Sequence, residues 1–177
     1  MTENDLPRSG SILGVDFGTV RIGLAVGELG SGLVLPLPVL SNPGTLEQTA
    51  ERIAEVARGR EVAAVVLGNP IHVSGEASAM SAKVGGLKTA LATRLSVPVV
   101  LRDERYSSVQ AEEQLTAAGL KWWQYEKGKV DQLAAMSLVR ELLIEIKPEL
   151  GRVSEDDPTP PRREKDDPSR RKKRRSR

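Results

Sequence analysis

The sequence predicts an α/β fold in which helices cover a mixed β-sheet. Two observations carry this prediction: short apolar runs are bounded by Gly, Pro and Asn, and longer segments repeat apolar residues every three or four positions. Three extended segments come first, and helical and extended segments then alternate, so an antiparallel start should be followed by parallel crossover connections. The length of 177 residues fits one domain with a tail.

The antiparallel start is predicted from the first three extended segments. The segments 11–17 and 21–28 are separated only by a Gly-Thr-Val turn, which favours a hairpin. The third segment, 32–40, contains two prolines. Because proline cannot donate a hydrogen bond to a neighbouring strand, this segment is predicted to lie at an edge of the sheet.

The remaining predicted elements alternate along the chain. Thr45 and Gln48 have the spacing of a capping box, which predicts a helix that begins at Thr45 and ends at Gly59. The run VAAVVLG at 62–68 lacks a polar residue, so it predicts a strand buried on both faces. Helices are also predicted at 76–95, 107–118 and 130–146, and a further strand at 97–101.

Three carboxylates occupy positions of special interest. Asp16 lies among apolar residues at the end of the first predicted strand, Glu104 follows the strand at 97–101, and Asp131 stands at the start of the last helix. The loops that follow the strand ends of such a sheet converge on one rim, so these side chains would meet there. Carboxylates that close repel one another and raise each other's pKa, and a divalent cation would remove that repulsion.

Each acid also has a purely structural explanation. Asp16 could accept hydrogen bonds from the backbone of the turn that follows it. Glu104 could be a solvated loop charge, and Asp131 could be favoured by the dipole of its helix. The spacing of these acids does not decide the matter, because they lie far apart in the sequence and only a fold can bring them together.

The composition limits which metal such a site could hold. The chain has no cysteine and a single histidine, His72, so zinc sites built from those residues are excluded. Carboxylate oxygens favour Mg²⁺ or Mn²⁺. Two such ions would clamp the attacking and leaving oxygens of a phosphodiester.

The basic charge of the chain comes from its last residues. Residues 151–177 hold eleven Lys or Arg against six Asp or Glu, so they carry +5 and the rest of the chain carries −3. The segment 149–177 is predicted to be a disordered charged tail, because it is rich in charge and proline and cannot bury a core. Residues 1–10 are expected to be flexible. With neither a signal peptide nor a membrane-spanning run in view, we expect a cytoplasmic protein.

Four motifs in order resemble the YqgF family, also called RuvX: VDFGTVRIGLAVG, VVLGNP, DERYSS and KGKVDQLAA. The resemblance covers residues 11–147. It implies a ribonuclease H-like domain at 11–148, with a mixed five-stranded sheet of strand order 3-2-1-4-5 flanked by helices. It also implies nuclease activity. The chain departs from the family pattern in the loop GNPIHVSG at 68–75 and at Tyr106, where leucine is usual, and both differences bear on the substrate.

Residue by residue, the resemblance implies that Asp16, Glu104 and Asp131 are the catalytic residues and the ligands of Mg²⁺ or Mn²⁺, with two ions expected. It places substrate-binding residues beside them. These are Thr19, Arg105, Lys127 and Lys129, of which the basic three would contact phosphates without reading sequence.

Several functions remain open from the sequence. The resemblance implies a nuclease that matures the 5′ end of pre-16S rRNA during ribosome biogenesis, or else a Holliday junction resolvase acting on DNA. The protein would be a monomer or a weak homodimer without membrane contact. A non-catalytic nucleic-acid-binding factor on the same fold is a third candidate. The DFGT hairpin also occurs in sugar kinases and chaperone ATPases, but that architecture needs two such domains, and this chain is long enough for only one.

Overall fold

The computed structural model describes residues 6–69, 79–103 and 127–151. Its strands are β1 (Ser11–Phe17), β2 (Arg21–Glu28), β3 (Val34–Ser41), β4 (Ala64–Asn69) and β5 (Val99–Asp103). Its helices are α1 (Leu46–Gly59), α2 (Ala79–Ala92) and α3 (Lys127–Ile146), and a 3-10 turn follows at Pro148–Gly151. None of the helices in these ranges is long and apolar enough to cross a membrane.

The five strands form one mixed sheet in the order β3-β2-β1-β4-β5. The strand β1 pairs antiparallel with β2, and β2 pairs antiparallel with β3. The other pairs, β1 with β4 and β4 with β5, are parallel. The predicted fold class, the strand order and the edge position of the proline-containing strand are therefore confirmed. The helix predicted at 107–118 lies outside the described residues.

Helices cover both faces of the sheet. On one face α1 and α2 pack over alternate strand residues, and on the other face α3 packs over the residues between them. The sequence predicts an apolar stripe of Met80, Val84, Leu87, Leu91 and Leu95 for the helix at 76–95. Val84, Leu87 and Leu91 are fully buried, and Met80 and Leu95 pack against the same core while partly buried. The centre of α3 is buried in the same way through Leu138 and Leu142. This two-sided burial explains why β4 contains almost no polar side chain.

Several predicted boundaries differ from the structure: β3 covers Val34–Ser41 instead of 32–40, α2 ends at Ala92 instead of residue 95, and β5 ends at Asp103 instead of residue 101. Three further differences have a local reason. The strand β4 begins at Ala64 instead of residue 62, because the Val62 N–H bonds the carbonyl of Ala57 and so extends the end of α1. The strand β5 begins after Pro98, which has no N–H to offer the ladder. The helix α3 begins at Lys127 instead of residue 130, so Asp131 lies in its second turn.

Candidate active site

Asp16 lies near the end of β1 on the face that α3 covers. Alternate residues of β1 point to opposite faces: Leu13 and Val15 belong to the core beneath α1 and α2, whereas Ile12 belongs to the core beneath α3. By the same alternation Gly14 and Asp16 face α3. The structure thus explains why a carboxylate interrupts an apolar strand: it lies where the sheet meets the first turns of a helix.

Asp131 lies close to Asp16 because a glycine of the sheet lets the backbone of α3 approach the strands closely. Gly23 of β2 is paired with Asp16 in the strand register. A Cβ at Gly23 would lie 3.0 Å from the Asp131 Cα and still closer to the Asp131 carbonyl. One turn further along α3, a Cβ at Gly14 would lie 2.6 Å from the Ala135 carbonyl oxygen. The helix backbone therefore rests directly on the sheet, and Asp131 comes close to Asp16.

The carboxyl group of Asp16 is in an unfavourable electrostatic environment. Burial raises the pKa of Asp16, and the negative charge of Asp131 raises it further, to about 6. In the described part of the chain no hydrogen bond or ion pair reaches the Asp16 carboxylate. Asp16 therefore has a strong need for a cationic or hydrogen-bonding partner.

Asp131 has such a partner in Arg21, which the sequence did not single out. The Arg21 Nε donates a hydrogen bond to Asp131 Oδ2 over 2.7 Å, and both side chains are partly buried. Arg21 opens β2 and lies two residues before Gly23, so both residues face α3. The sequence shows that Arg21 and Gly23 lie two residues apart on the strand that follows Asp16. It does not show that Asp131 is the partner of Arg21.

The turn between β1 and β2 is held by a side chain from another part of the chain. The Gly18 N–H bonds the carbonyl of Arg21 over 3.0 Å and closes the turn. Asn42 donates through Nδ2 to the Gly18 carbonyl over 2.7 Å, and its backbone N–H bonds the Val20 carbonyl over 2.9 Å. Thr19, predicted to contact substrate, is exposed at the tip of this turn.

The predicted site residues divide between the described and the remaining parts of the chain. The structure brings together Asp16 and Asp131, and it places Lys129 exposed on α3 two residues before Asp131. Lys127 is the first residue of the same helix. The other two predicted residues, Glu104 and Arg105, lie outside the described residues, as does His72.

The described residues provide part of a metal site. Within them no group of three acidic or histidine side chains lies close enough to hold a metal ion. The pair Asp16 and Asp131 nevertheless fits a hard divalent cation in chemistry, because both donors are carboxylates and one of them has no described partner. Such an ion would relieve the repulsion that raises the pKa of Asp16.

Comparisons with known proteins agree with this architecture. The family model RuvX: Holliday junction resolvase matches residues 10–145. A protein of Chlamydia abortus (strain DSM 27085 / S26/3) named "Putative pre-16S rRNA nuclease" is 39% identical over 140 residues, which cover 78% of this chain and 92% of that protein. A protein of the same name from Chromobacterium violaceum is 38% identical over 124 residues, which cover 70% of this chain and 90% of that one.

A solved structure shows a similar fold. It is that of T. thermophilus RuvC in complex with Holliday junction substrate, with a TM-score of 0.50 and 19% sequence identity. The match covers 77% of this chain and 94% of that chain. At this identity the likeness concerns the fold alone, and it confirms the predicted ribonuclease H-like fold.

The resemblance drawn from the four motifs is confirmed by these comparisons. The family description and the names of the relatives also agree with the predicted class of enzyme, a nuclease that hydrolyses phosphodiester bonds. By the match over residues 10–145 and by relatives that share more than a third of the aligned residues, this chain belongs to the RuvX family.

Proposed function

We propose that this protein is a metal-dependent nuclease in which Asp16, Glu104 and Asp131 hold the metal. The observation that supports this most strongly is the pair Asp16 and Asp131, two carboxylates placed close together on the covered face of the sheet. A structural role alone would not call for this arrangement, since it raises the pKa of Asp16 and leaves that carboxylate without a described hydrogen bond. A divalent cation bound by both carboxylates would relieve the repulsion between them, which explains why the two side chains lie close together.

Glu104 is proposed as the third ligand from its position in the sequence. It comes two residues after Arg102, whose guanidinium pairs with Glu145 of α3 over 2.7 Å. Side chains two residues apart on a strand share a face, so a strand continued by one residue would carry Glu104 on the side that Asp16 occupies. This alternation supports the assignment that the family motif implies.

The proposed cofactor is Mg²⁺ or Mn²⁺, with two ions expected. When bound, these ions supply positive charge that offsets the negative charge developing on the phosphodiester oxygens. The protein residues would hold the ions and fix their positions. Asp16 lies on a rigid central strand and Asp131 on a helix packed against that strand, so both ligands are held by buried elements and not by loops.

The substrate would be held through its phosphates. Lys129 is exposed two residues before Asp131, and Thr19 is exposed in the turn that follows Asp16. We propose that both contact the backbone of the nucleic acid, together with Arg105 and Lys127. These contacts would orient the substrate and would not read its sequence.

Pre-16S rRNA is the proposed substrate, cleaved during maturation of its 5′ end in the cytoplasm. The names of the relatives support this choice, whereas the family description supports branched DNA as the second candidate. The proposed domain division is 1–10, a nuclease domain at 11–148 and a charged tail at 149–177. A chain that acts as a monomer or weak homodimer fits processing of a single RNA strand.

A non-catalytic binding factor on the same fold remains the alternative of a different class. Such a factor would gain nothing from placing the partly buried carboxylates of Asp16 and Asp131 close together. Asp16→Asn separates the two functions, because the side chain keeps its size and loses its charge. A binding factor would keep its nucleic-acid affinity and show no metal-dependent chemistry in either form.

The substrate is tested by direct competition. A pre-16S rRNA fragment with its 5′ extension and a DNA four-way junction, labelled with different dyes, are incubated together with the protein and Mg²⁺ or Mn²⁺. We expect the unmodified protein to cleave the RNA at a defined position near the mature 5′ end, and we expect no cleavage by Asp16→Asn. The exposed-carboxylate variant Glu55→Gln should cleave normally. Symmetric cuts in the junction with the RNA left intact would identify a resolvase instead.

A further inference from the structure

We propose that Arg21 and Gly23 of β2 are positioning residues that hold Asp131 in place for metal binding. This inference rests on the proposed metal site. It adds two residues to that site which supply no ligand of their own. Gly23 fixes the backbone of Asp131, and Arg21 fixes its carboxylate.

Gly23 acts through the distance between the helix and the sheet. A Cβ at this position would lie 3.0 Å from the Asp131 Cα and closer still to its carbonyl carbon and oxygen. These are backbone atoms and cannot rotate aside, so any side chain at Gly23 would push the second turn of α3 outward. Because Gly23 is the register partner of Asp16, that displacement would separate the two carboxylates directly.

Arg21 acts on the side chain of Asp131. Its Nε lies 2.7 Å from Oδ2, and within the described residues no hydrogen bond reaches Oδ1. One carboxylate oxygen is thus fixed while the other remains available to a cation. The exposed fractions of the two side chains, 36% for Arg21 and 24% for Asp131, place the pair at the edge of the buried site. An ion pair in this position also offsets the negative charge that would otherwise be concentrated beside Asp16.

Other glycines and ion pairs provide matched controls. Gly27 of the same strand also lies beneath α3, but a Cβ there would meet the side chains of Val139 and Leu143, two or more turns beyond Asp131. Arg58 forms an ion pair of the same length, 2.7 Å, with Glu51 on α1, which covers the opposite face of the sheet. Gly27→Ala and Arg58→Gln therefore disturb packing or charge without reaching Asp131.

The test measures Mn²⁺ affinity of the full chain by electron paramagnetic resonance of the free ion, which does not depend on catalysis. Seven forms are compared: the unmodified chain, Asp16→Asn, Gly23→Ala, Arg21→Gln, Arg21→Lys and the two controls. Circular dichroism checks that each is folded. We expect Gly23→Ala and Arg21→Gln to weaken Mn²⁺ binding about 10-fold or more, as loss of a residue that orients a ligand does elsewhere. Arg21→Lys should recover part of the loss, and both controls should bind as the unmodified chain does.

The outcomes separate the positioning role from the proposed function. Asp16-dependent Mn²⁺ binding by the unmodified chain with unchanged affinity in Gly23→Ala and Arg21→Gln would overturn the positioning role alone. Equal losses in the controls would also overturn it, because the effect would then be general destabilisation. If Gly23→Ala does not fold, the comparison of Arg21→Gln with Arg21→Lys decides. A chain that shows no Asp16-dependent Mn²⁺ binding would overturn the proposed metal site and the positioning role together.

Discussion

Arg21 and Asp131 form an ion pair, with Nε 2.7 Å from Oδ2, that joins the first residue of β2 to the second turn of α3. Asp16 lies beside this ion pair, and the negative charge of Asp131 still raises the pKa of Asp16. The site is therefore asymmetric: Asp131 is compensated by the protein, and Asp16 is not compensated by any described residue. Replacement of Asp16 should consequently have the clearest effects on stability, and the size of these effects depends on pH.

Asp16→Asn should stabilise the metal-free protein at neutral pH. In the unfolded chain Asp16 ionises near pH 3.8, whereas in the folded chain burial and the charge of Asp131 raise its pKa to about 6. Well below pH 3.8 the carboxyl group is protonated in both states and has no effect on stability. Between pH 4 and 6 the folded state binds more protons, so its stability falls as pH rises, and above pH 6 the full cost is present.

That cost is on the order of 3 kcal/mol at pH 7.5 if the whole shift is realised. Urea unfolding in EDTA should therefore show Asp16→Asn more stable than the unmodified chain by about 1–3 kcal/mol at pH 7.5, allowing for incomplete hydrogen bonding of the new amide. The two forms should become nearly equal well below pH 3.8, where the carboxyl group is protonated in both states. A variant that is less stable at pH 7.5 would contradict the electrostatic description of this site.

Glu28→Gln provides a control of opposite sign. Backbone hydrogen bonds from Gly30 and Ser31 lower the pKa of Glu28. A lowered pKa contributes stability above the unfolded value, and that contribution is lost as pH falls through the folded value. Glu28→Gln should therefore be less stable than the unmodified chain at pH 7.5, and the difference should shrink only as pH falls below the unfolded pKa of 4.5. Parallel behaviour of the two variants would show that the pH effect is not local.

Divalent metal should remove most or all of the stability advantage of Asp16→Asn. Mg²⁺ or Mn²⁺ at about 100 times its dissociation constant would stabilise the folded chain by about 2.7 kcal/mol. The melting temperature of the unmodified protein should rise on metal addition and return on chelation, while that of Asp16→Asn should not change. Differential scanning fluorimetry in buffered Mn²⁺ measures both. An equal rise in the two forms would place the metal somewhere other than at Asp16.

Asn42 should support the turn that carries Thr19. Its Nδ2 donates to the Gly18 carbonyl over 2.7 Å, and its Oδ1 accepts from the Gly44 N–H and from the buried Thr49 hydroxyl. Asn42→Ala removes all three bonds and should cost about 1–3 kcal/mol in urea unfolding. Asn42→Asp keeps both bonds to Oδ1 and sets a carboxylate oxygen against the Gly18 carbonyl oxygen, so its cost measures the contact with the turn alone. Equal costs would assign the whole effect to the turn.

Lys129 should contribute to nucleic-acid affinity without selecting sequence. Lys129→Ala is expected to weaken binding to RNA of any sequence and to lower the slope of log affinity against log salt by about 1, because one phosphate contact is lost. Lys88→Ala, which changes an exposed lysine of α2 on the opposite face, is the matched control. Filter binding over a salt series measures the slopes. The same slope for both variants would remove Lys129 from the interface.

Much of the fold could be predicted because its signals are local. The capping box at Thr45 was visible as spacing, and Thr45 Oγ1 does accept from the Gln48 N–H over 3.3 Å. The two prolines of β3 indicated an edge strand, which the structure confirms. The errors concern boundaries, where one backbone hydrogen bond decides the assignment, as between Val62 and Ala57.

The site was predictable only in part because its contacts are distant in sequence. Asp16 stood out as a carboxylate in an apolar strand, and the structure shows it close to Asp131 as expected. Arg21 was missed because its partner lies 110 residues away and a single arginine after a turn carries no signal of that pairing. Gly23 was missed because its role is to leave space, which becomes visible only when the helix above it is in place.

The most direct test of the central claim is cleavage of a pre-16S rRNA fragment by the purified full chain in Mg²⁺ and in EDTA, with Asp16→Asn measured beside it. We expect cleavage in Mg²⁺, none in EDTA, and a loss to background in Asp16→Asn while that variant stays folded and still binds the RNA. Cleavage that persists in folded Asp16→Asn, or in EDTA, would overturn the proposed metal site, because the carboxylate pair would then not be the catalytic centre.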